Sequence, residues 1–210
     1  MKIFYDTEFL EDGSTIELIS IGLAAEDGRE YYAVCSEVDQ WTPEGSEKLH
    51  KRISGNDWLM RNVIPHLPLN SKPDRMTSGQ WIWSLDRSSL LVRPRWVIAN
   101  EVREFILATQ DPQLWAWYGA YDHVVLCQLW GPMIRLPKGV PMWTNDLKQE
   151  AQRLGNPEIP KQQVEDEHNA LADARHNRAI SEFLAGRGVS AGTTPPIFAQ
   201  HFFVLPLFSR

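Results

Sequence analysis

Five side chains, far apart in the chain, are of the types that do hydrolytic chemistry. Asp6 and Glu8 stand two apart near the N-terminus, Asp122 lies mid-chain, and His168 precedes Asp173 by five positions. Each alone has a plain reading: two acids on a solvated strand end, a dipole partner in a first helical turn, a surface loop histidine. Together they are more specific. Four carboxylates without cysteine ligands suit hard, oxygen-preferring cations such as Mg²⁺ or Mn²⁺ rather than zinc. Two such ions about 3.5–4 Å apart can activate a water and stabilise the leaving oxygen of a phosphodiester. A histidine titrating near neutrality is the natural base for that water. His123 is the rival base, but as the helical neighbour of Asp122 it points about 100° away from it.

These groups converge only if the local structure allows it. Asp6 and Glu8 share a face of a strand by the period-2 rule, and burying two like charges there is costly without a counter-charge. Asp122 follows Gly119 at the start of a helix after the apolar strand Leu114–Tyr118, where α/β sheets gather functional groups. On one ideal helix, residues five apart diverge by about 140°. His168 must therefore sit in the loop that enters the helix carrying Asp173, which is predicted over Ala170–Leu184.

The remaining elements follow from turn signals and periodicity. Strands Lys2–Asp6, Thr15–Ala25 and Glu30–Val34 are separated by Glu11-Asp12-Gly13-Ser14 and Asp27-Gly28, an antiparallel meander. Helices are expected at Asp57–Ile64, Arg93–Leu107, Tyr121–Trp130 and Asn145–Leu154, the last capped by Thr144 or Asn145. Val140–Trp143 reads as a short strand and Ser71–Gly79 as a loop. The order βββ–α–β–α–β–α–α implies one α/β domain, a mixed sheet flanked by helices. It spans residues 1–186 and includes a Trp-rich insert at 41–94, with five of the nine tryptophans between Trp41 and Trp96. A Gly/Thr/Pro-rich linker and an apolar tail occupy 187–210.

The net charge of −6 argues against a binder that holds duplex nucleic acid by charge alone. It leaves room for an enzyme whose cations reverse the local sign. No apolar run approaches the roughly 20 residues of a membrane span. The first apolar segment runs straight into Asp6-Thr7-Glu8, so no signal peptide is expected. The two cysteines, Cys35 and Cys127, form no metal-type pair, and a reducing cytoplasm is expected.

Tyr5-Asp6-Thr7-Glu8-Phe9, Gly119-Ala120-Tyr121-Asp122 and His168-Asn169-Ala170-Leu171-Ala172-Asp173 resemble the three exonuclease motifs of the DnaQ-like superfamily, in its histidine-bearing (DEDDh) branch. The stretches FYDTEFLEDGSTIELISIG and LWAWYGAYDHVVLCQLWGPM are similar, more narrowly, to the actinobacterial polyadenylate-specific exoribonucleases; the likeness covers most of 1–40 and 95–184 and is loose across 41–94.

The resemblance implies a ribonuclease H-like fold and a homodimer. It implies Asp6, Glu8, Asp122 and Asp173 as ligands of two Mg²⁺ or Mn²⁺ ions and His168 as general base. The implied reaction is 3′→5′ hydrolysis of single-stranded RNA, adenylate-rich or as a 3′ overhang, to nucleoside 5′-monophosphates. It also implies Thr7, Phe9 and Leu10 as lining of the terminal-nucleotide pocket, with Phe9 placed to stack on a base or simply to fill the core. Glu17, on the neighbouring strand, could reach a sugar hydroxyl or a base edge, or be structural. Arg93, Arg95, Arg103, Arg175 and Arg178 could touch phosphates, though most are expected to be solvated surface charges. The alternatives are a 3′→5′ DNA exonuclease, an inactive nucleic-acid-binding domain, and a carboxylate glycosidase. The last needs only two of the acids.

Overall fold

Strands β1 (Lys2–Glu11), β2 (Ile16–Ala25) and β3 (Glu30–Cys35) form the expected antiparallel meander. The first turn is built by Asp12, whose Oδ1 accepts from the amides of Ser14 and Thr15 at 3.0 and 2.8 Å. The computed structural model describes residues 1–39 and 46–188; Trp41, the remainder of the expected linker and the apolar tail lie outside them.

The meander is extended on both sides. The small strands β4 (Asp74–Arg75) and β5 (Trp81–Ile82) form a separate hairpin, and β6 (Val92–Arg93) runs parallel to β3. Strands β7 (Gln113–Ala116) and β8 (Asn145–Asp146) run parallel beyond β1, giving the order β6-β3-β2-β1-β7-β8.

Alternation along β1 divides the core. Ile3 and Tyr5 join the larger cluster with Ile98, Val102 and Ile106 of α3 (Arg95–Leu107) and Val125 and Leu126 of α4 (Ala120–Gln128). Phe4 faces the other way, against Leu147 and Ala151 of α5 (Leu147–Arg153) and Ile180 and Leu184 of α6 (Ala170–Gly188). Helices therefore cover both faces of a mixed sheet, a ribonuclease H-like, single-domain α/β arrangement. The insert adds α1 (Ser46–Ser54) and α2 (Asp57–Asn62), and it sends Ile53, Leu59, Met60, Trp83 and Leu85 into the larger cluster.

Several expected boundaries move. The apolar run Val140–Trp143 is not a strand; the short strand is the polar pair Asn145–Asp146. The helix expected from Asn145 begins at Leu147, and its cap is neither Thr144 nor Asn145 but Asp146, which accepts from Lys148 and Gln149. α3 starts at Arg95 because Pro94 occupies its cap, and α4 ends at Gln128. The loop expected at 71–79 contains β4, and α6 runs through Gly188 into the expected linker.

Candidate active site

β1 continues to Glu11, so Asp6 and Glu8 lie inside the strand rather than at its end. What ends near them is the pairing with β7, which covers only Lys2 to Phe4. Past that point the β7 side of β1 is open. Asp122, in the first turn of α4, fills the gap: its Oδ1 accepts from the Thr7 amide at 2.9 Å and the Thr7 hydroxyl at 2.7 Å. A buried amide left without a strand partner is thereby satisfied by a carboxylate.

Asp6 and Glu8 share the face of β1 that carries Phe4, beneath α6. That helix comes unusually close to the sheet. Gly22 is the cross-strand partner of Asp6. A Cβ at Gly22 would stand 2.3–2.4 Å from Ala170 O, Ala170 C and Leu171 Cα. Only a glycine admits the first turn of α6, and this contact sets the height of Asp173 above Asp6 and Glu8.

The entry to α6 fulfils the demand made by the five-residue spacing. His168 adopts φ +64°, a left-handed conformation rare for a side-chain-bearing residue, which turns the chain off the helix path. Asn169 then caps the helix, its Oδ1 accepting from the Ala172 amide at 3.1 Å. Asp173 closes the turn: its Oδ2 accepts from the His168 amide at 3.0 Å and its Oδ1 from Gln162 Nε2 at 2.6 Å. Further along α6, buried Asn177 donates to Tyr5 O at 3.2 Å, and Ser181 accepts from Lys2 Nζ at 3.0 Å. Asp173, Asn177 and Ser181, four apart, thus form a polar stripe laid along β1.

One ligand atom each from Glu8, His168 and Asp173 lies within 4.8 Å of the others. Asp6 lines the same cleft as His168 and Asp173, a space of about 830 Å³. The electrostatics are those of crowded anions. Burial pushes Asp6 well above the usual carboxylate range, and the charges of Asp122, Glu8 and Asp173 add to the effect. Burial, then Asp173 and Asp122, raise Glu8 to about 8. Burial raises Asp122 to about 6 against the opposing hydrogen bonds from Thr7. Asp173 is raised by burial, with Gln162 and His168 opposing. Four acids that resist ionising together, beside one imidazole, form a donor set that fits divalent cations, whose charge would remove the repulsion.

The family model for the 3′-5′ exoribonuclease Rv2179c-like domain matches residues 1–185. The chain belongs to that family. The 3′-5′ exoribonuclease Rv2179c of Mycobacterium tuberculosis strain ATCC 25618 / H37Rv is 45% identical over 197 residues, covering 90% of this chain and 99% of the relative. The 3′-5′ exoribonuclease MT2234.1 of strain CDC 1551 / Oshkosh matches to the same extent.

Within this Rv2179c-like domain the remaining expected residues fall in different places. Thr7 is buried, with both its hydroxyl and its amide bonded to Asp122. Leu10 packs in the core and also lines a groove with Glu11, Asp12 and Asp57. Phe9 is half-buried and stacks on Tyr121, centroids 6.2 Å apart. Glu17 is paired with Arg95 at 3.3 Å, and Arg175 with Glu30 at 2.6 Å. His123 faces away, its Nδ1 3.5 Å from Tyr5 Oη and its Nε2 3.5 Å from Cys127 Sγ.

Four residues at the site were missed. Trp58 of α2 meets the His168 ring edge-on at 4.8 Å. Gln162 and His176 line the cleft, and Asn177 lies beneath it. For His176 and Asn177 the available signal was their spacing of three and four from Asp173. For Trp58 and Gln162 there was none.

Proposed function

We propose that this chain is a 3′→5′ exoribonuclease that hydrolyses single-stranded, adenylate-rich RNA to nucleoside 5′-monophosphates. Asp6, Glu8, Asp122 and Asp173 hold two Mg²⁺ or Mn²⁺ ions, and His168 is the general base. The observation that carries this reading is the convergence of Glu8, His168 and Asp173 from opposite ends of the chain onto one point. Membership of a family described as 3′-5′ exoribonuclease supports the polarity and the choice of RNA. When bound, the ions lower the pKa of a coordinated water and neutralise charge developing at the phosphate.

The chain's own residues do the rest. Thr7 fixes the orientation of Asp122. The His168 amide and Gln162 fix that of Asp173. Trp58 restrains the imidazole from one side, while the cleft leaves it a path to pass its proton to solvent. Phe9 offers a ring at the strand edge for the terminal base. A glycosidase would leave half of this constellation without a role.

A second copy of the chain is the proposed partner. Val124, Met133, Ile134, Met142 and Trp143 are exposed around an apolar recess of about 280 Å³ beside α4, a patch of the kind that marks an interface. Among the described residues no helix is long and apolar enough to cross a membrane, and both cysteines are free thiols, which supports a cytoplasmic setting.

Matched RNA and DNA oligonucleotides of one sequence, digested side by side with Mg²⁺, test the proposal. RNA should be shortened from its 3′ end with release of 5′-monophosphates. Faster cleavage of DNA would replace this reading with a proofreading or repair exonuclease.

A further inference from the structure

The insert between β3 and β6 does more than fill the core. Its helix α2 reaches the catalytic centre: Trp58 meets the His168 ring edge-on, centroids 4.8 Å apart. Three residues on from Trp58, on the same exposed side of α2, Arg61 opens a second groove of about 550 Å³. The groove runs between α2 and the β4–β5 hairpin, floored by Met60, Pro65 and Leu67 and closed by Lys72 and Trp81. Three residues are about 4.5 Å of helix rise, so Arg61 is the neighbour on α2 of the tryptophan that meets His168.

The charge of this groove is unusual for the molecule. The chain carries a net charge of −6, yet the charged side chains lining the groove are Arg61 and Lys72, with no carboxylate among them. A neighbouring groove, by contrast, is lined by Glu11, Asp12 and Asp57 with one arginine. The acid nearest the basic groove, Asp57, is already engaged. Its Oδ2 is 3.5 Å from Arg61 and 3.6 Å from Arg75, and its Oδ1 accepts from Trp81 Nε1 at 2.9 Å. That bond, with the Arg75 guanidinium 5.5 Å from the ring centroid, holds Trp81 in place. Lys72 is exposed, and among the described residues it has no ion-pair or hydrogen-bond partner. Cations spaced along an apolar and aromatic floor are what a single strand requires: charge for its phosphates and flat surface for its bases.

We propose that this groove binds the part of the RNA strand lying 5′ of the scissile phosphate, with Arg61 and Lys72 on its phosphates and the floor of the groove under its bases. The inference rests on the exoribonuclease reading and extends it: the insert is a length sensor, engaged by oligonucleotides and out of reach of the shortest ones. It requires that long substrates gain affinity from residues that take no part in the chemistry.

The test compares a single-stranded 12-nucleotide oligoadenylate with the adenylate dinucleotide, in wild type and in the doubly substituted Arg61→Ala/Lys72→Ala protein. Both side chains are exposed, so the variant should unfold at the wild-type temperature. For the 12-mer, KM should rise roughly tenfold with kcat unchanged, and the slope of log(kcat/KM) against log salt should become shallower by about 1.4, the value for two lost single-strand phosphate contacts. Dinucleotide turnover should stay within about twofold of wild type. An unchanged 12-mer KM, or equal losses on both substrates, would overturn the proposal. A wild-type protein that cuts neither substrate would refute the exoribonuclease reading itself.

Discussion

Replacing Gly22 by alanine adds a single methyl group at the point where α6 presses on the sheet. The new Cβ would meet three backbone atoms of Ala170 and Leu171 at 2.3–2.4 Å, where ordinary contact begins near 3.4 Å. The atoms are backbone, so no side-chain rotation relieves the clash, and helix and sheet must part by about 1 Å. Overpacking of this kind costs about 1–3 kcal/mol, which for a chain of this size lowers Tm by roughly 2–12 °C. The loss of turnover should be larger than the stability loss suggests. Asp173 rides on the displaced turn, and a misplacement of about 1 Å at a catalytic group costs on the order of 100-fold. The assay is single-stranded RNA turnover with saturating Mg²⁺, alongside thermal unfolding. Gly186→Ala serves as control, since a Cβ there meets nothing within 4 Å; it should be neutral or stabilise by about 0.5–1 kcal/mol. A Gly22→Ala protein with wild-type kcat would refute the claim that this contact positions Asp173.

Three further outcomes are expected. His168→Ala should reduce kcat by about 10²–10⁴-fold while leaving Mg²⁺-induced thermal stabilisation largely in place; wild-type turnover would remove His168 from the mechanism. Trp58→Ala removes the ring that restrains the imidazole and should lower kcat on the dinucleotide as well as on longer RNA, by roughly tenfold if the restraint is worth about 1.4 kcal/mol; a change confined to long substrates would show that Trp58 serves binding alone. Metal-free protein should lose stability as pH rises. The carboxyl of Glu8 has a folded-state value of about 8 against an ordinary value of 4.5, so the folded state binds its proton more tightly. That contribution is fully present below about pH 4.5 and is lost as pH rises through about 8. With EDTA, Tm should therefore fall from pH 5 to pH 8, and Mg²⁺ should flatten the profile; a rising Tm without metal would contradict the crowded-anion description.

The sequence made legible whatever local chemistry controls. Asp12 and the glycine after it wrote the first turn. The 140° divergence between His168 and Asp173 placed the histidine off the helix, and the structure supplies the means, a left-handed residue followed by an asparagine cap. The carboxylate pattern itself needed only residue types and order.

What stayed hidden depends on partners distant in the chain. The bond from Thr7 to Asp122, 115 residues away, has no local trace in the sequence. The role of Gly22 exists only because α6 returns to that spot. The apolar run Val140–Trp143 looks like a strand by composition. The actual edge strand is the polar pair after it, fixed by a bond from Asn145 Nδ2 to Leu114 O at 3.0 Å. In α1, Leu49 and Ile53 mark an apolar side four residues apart, too short a pattern to stand out among the surrounding charges. Gln162 sits in a loop without periodicity, and nothing local ties it to Asp173.

The central claim is metal-dependent removal of nucleotides from an RNA 3′ end by Asp6, Glu8, Asp122, Asp173 and His168. It is tested most directly by digesting one single-stranded RNA, labelled at its 5′ end or at its 3′ end, with Mg²⁺ and with EDTA. With Mg²⁺ the 3′ label should appear at once as mononucleotide while the 5′-labelled strand shortens in a ladder, and EDTA should stop both. Degradation that continues in EDTA, or a 5′ label released first, would contradict it.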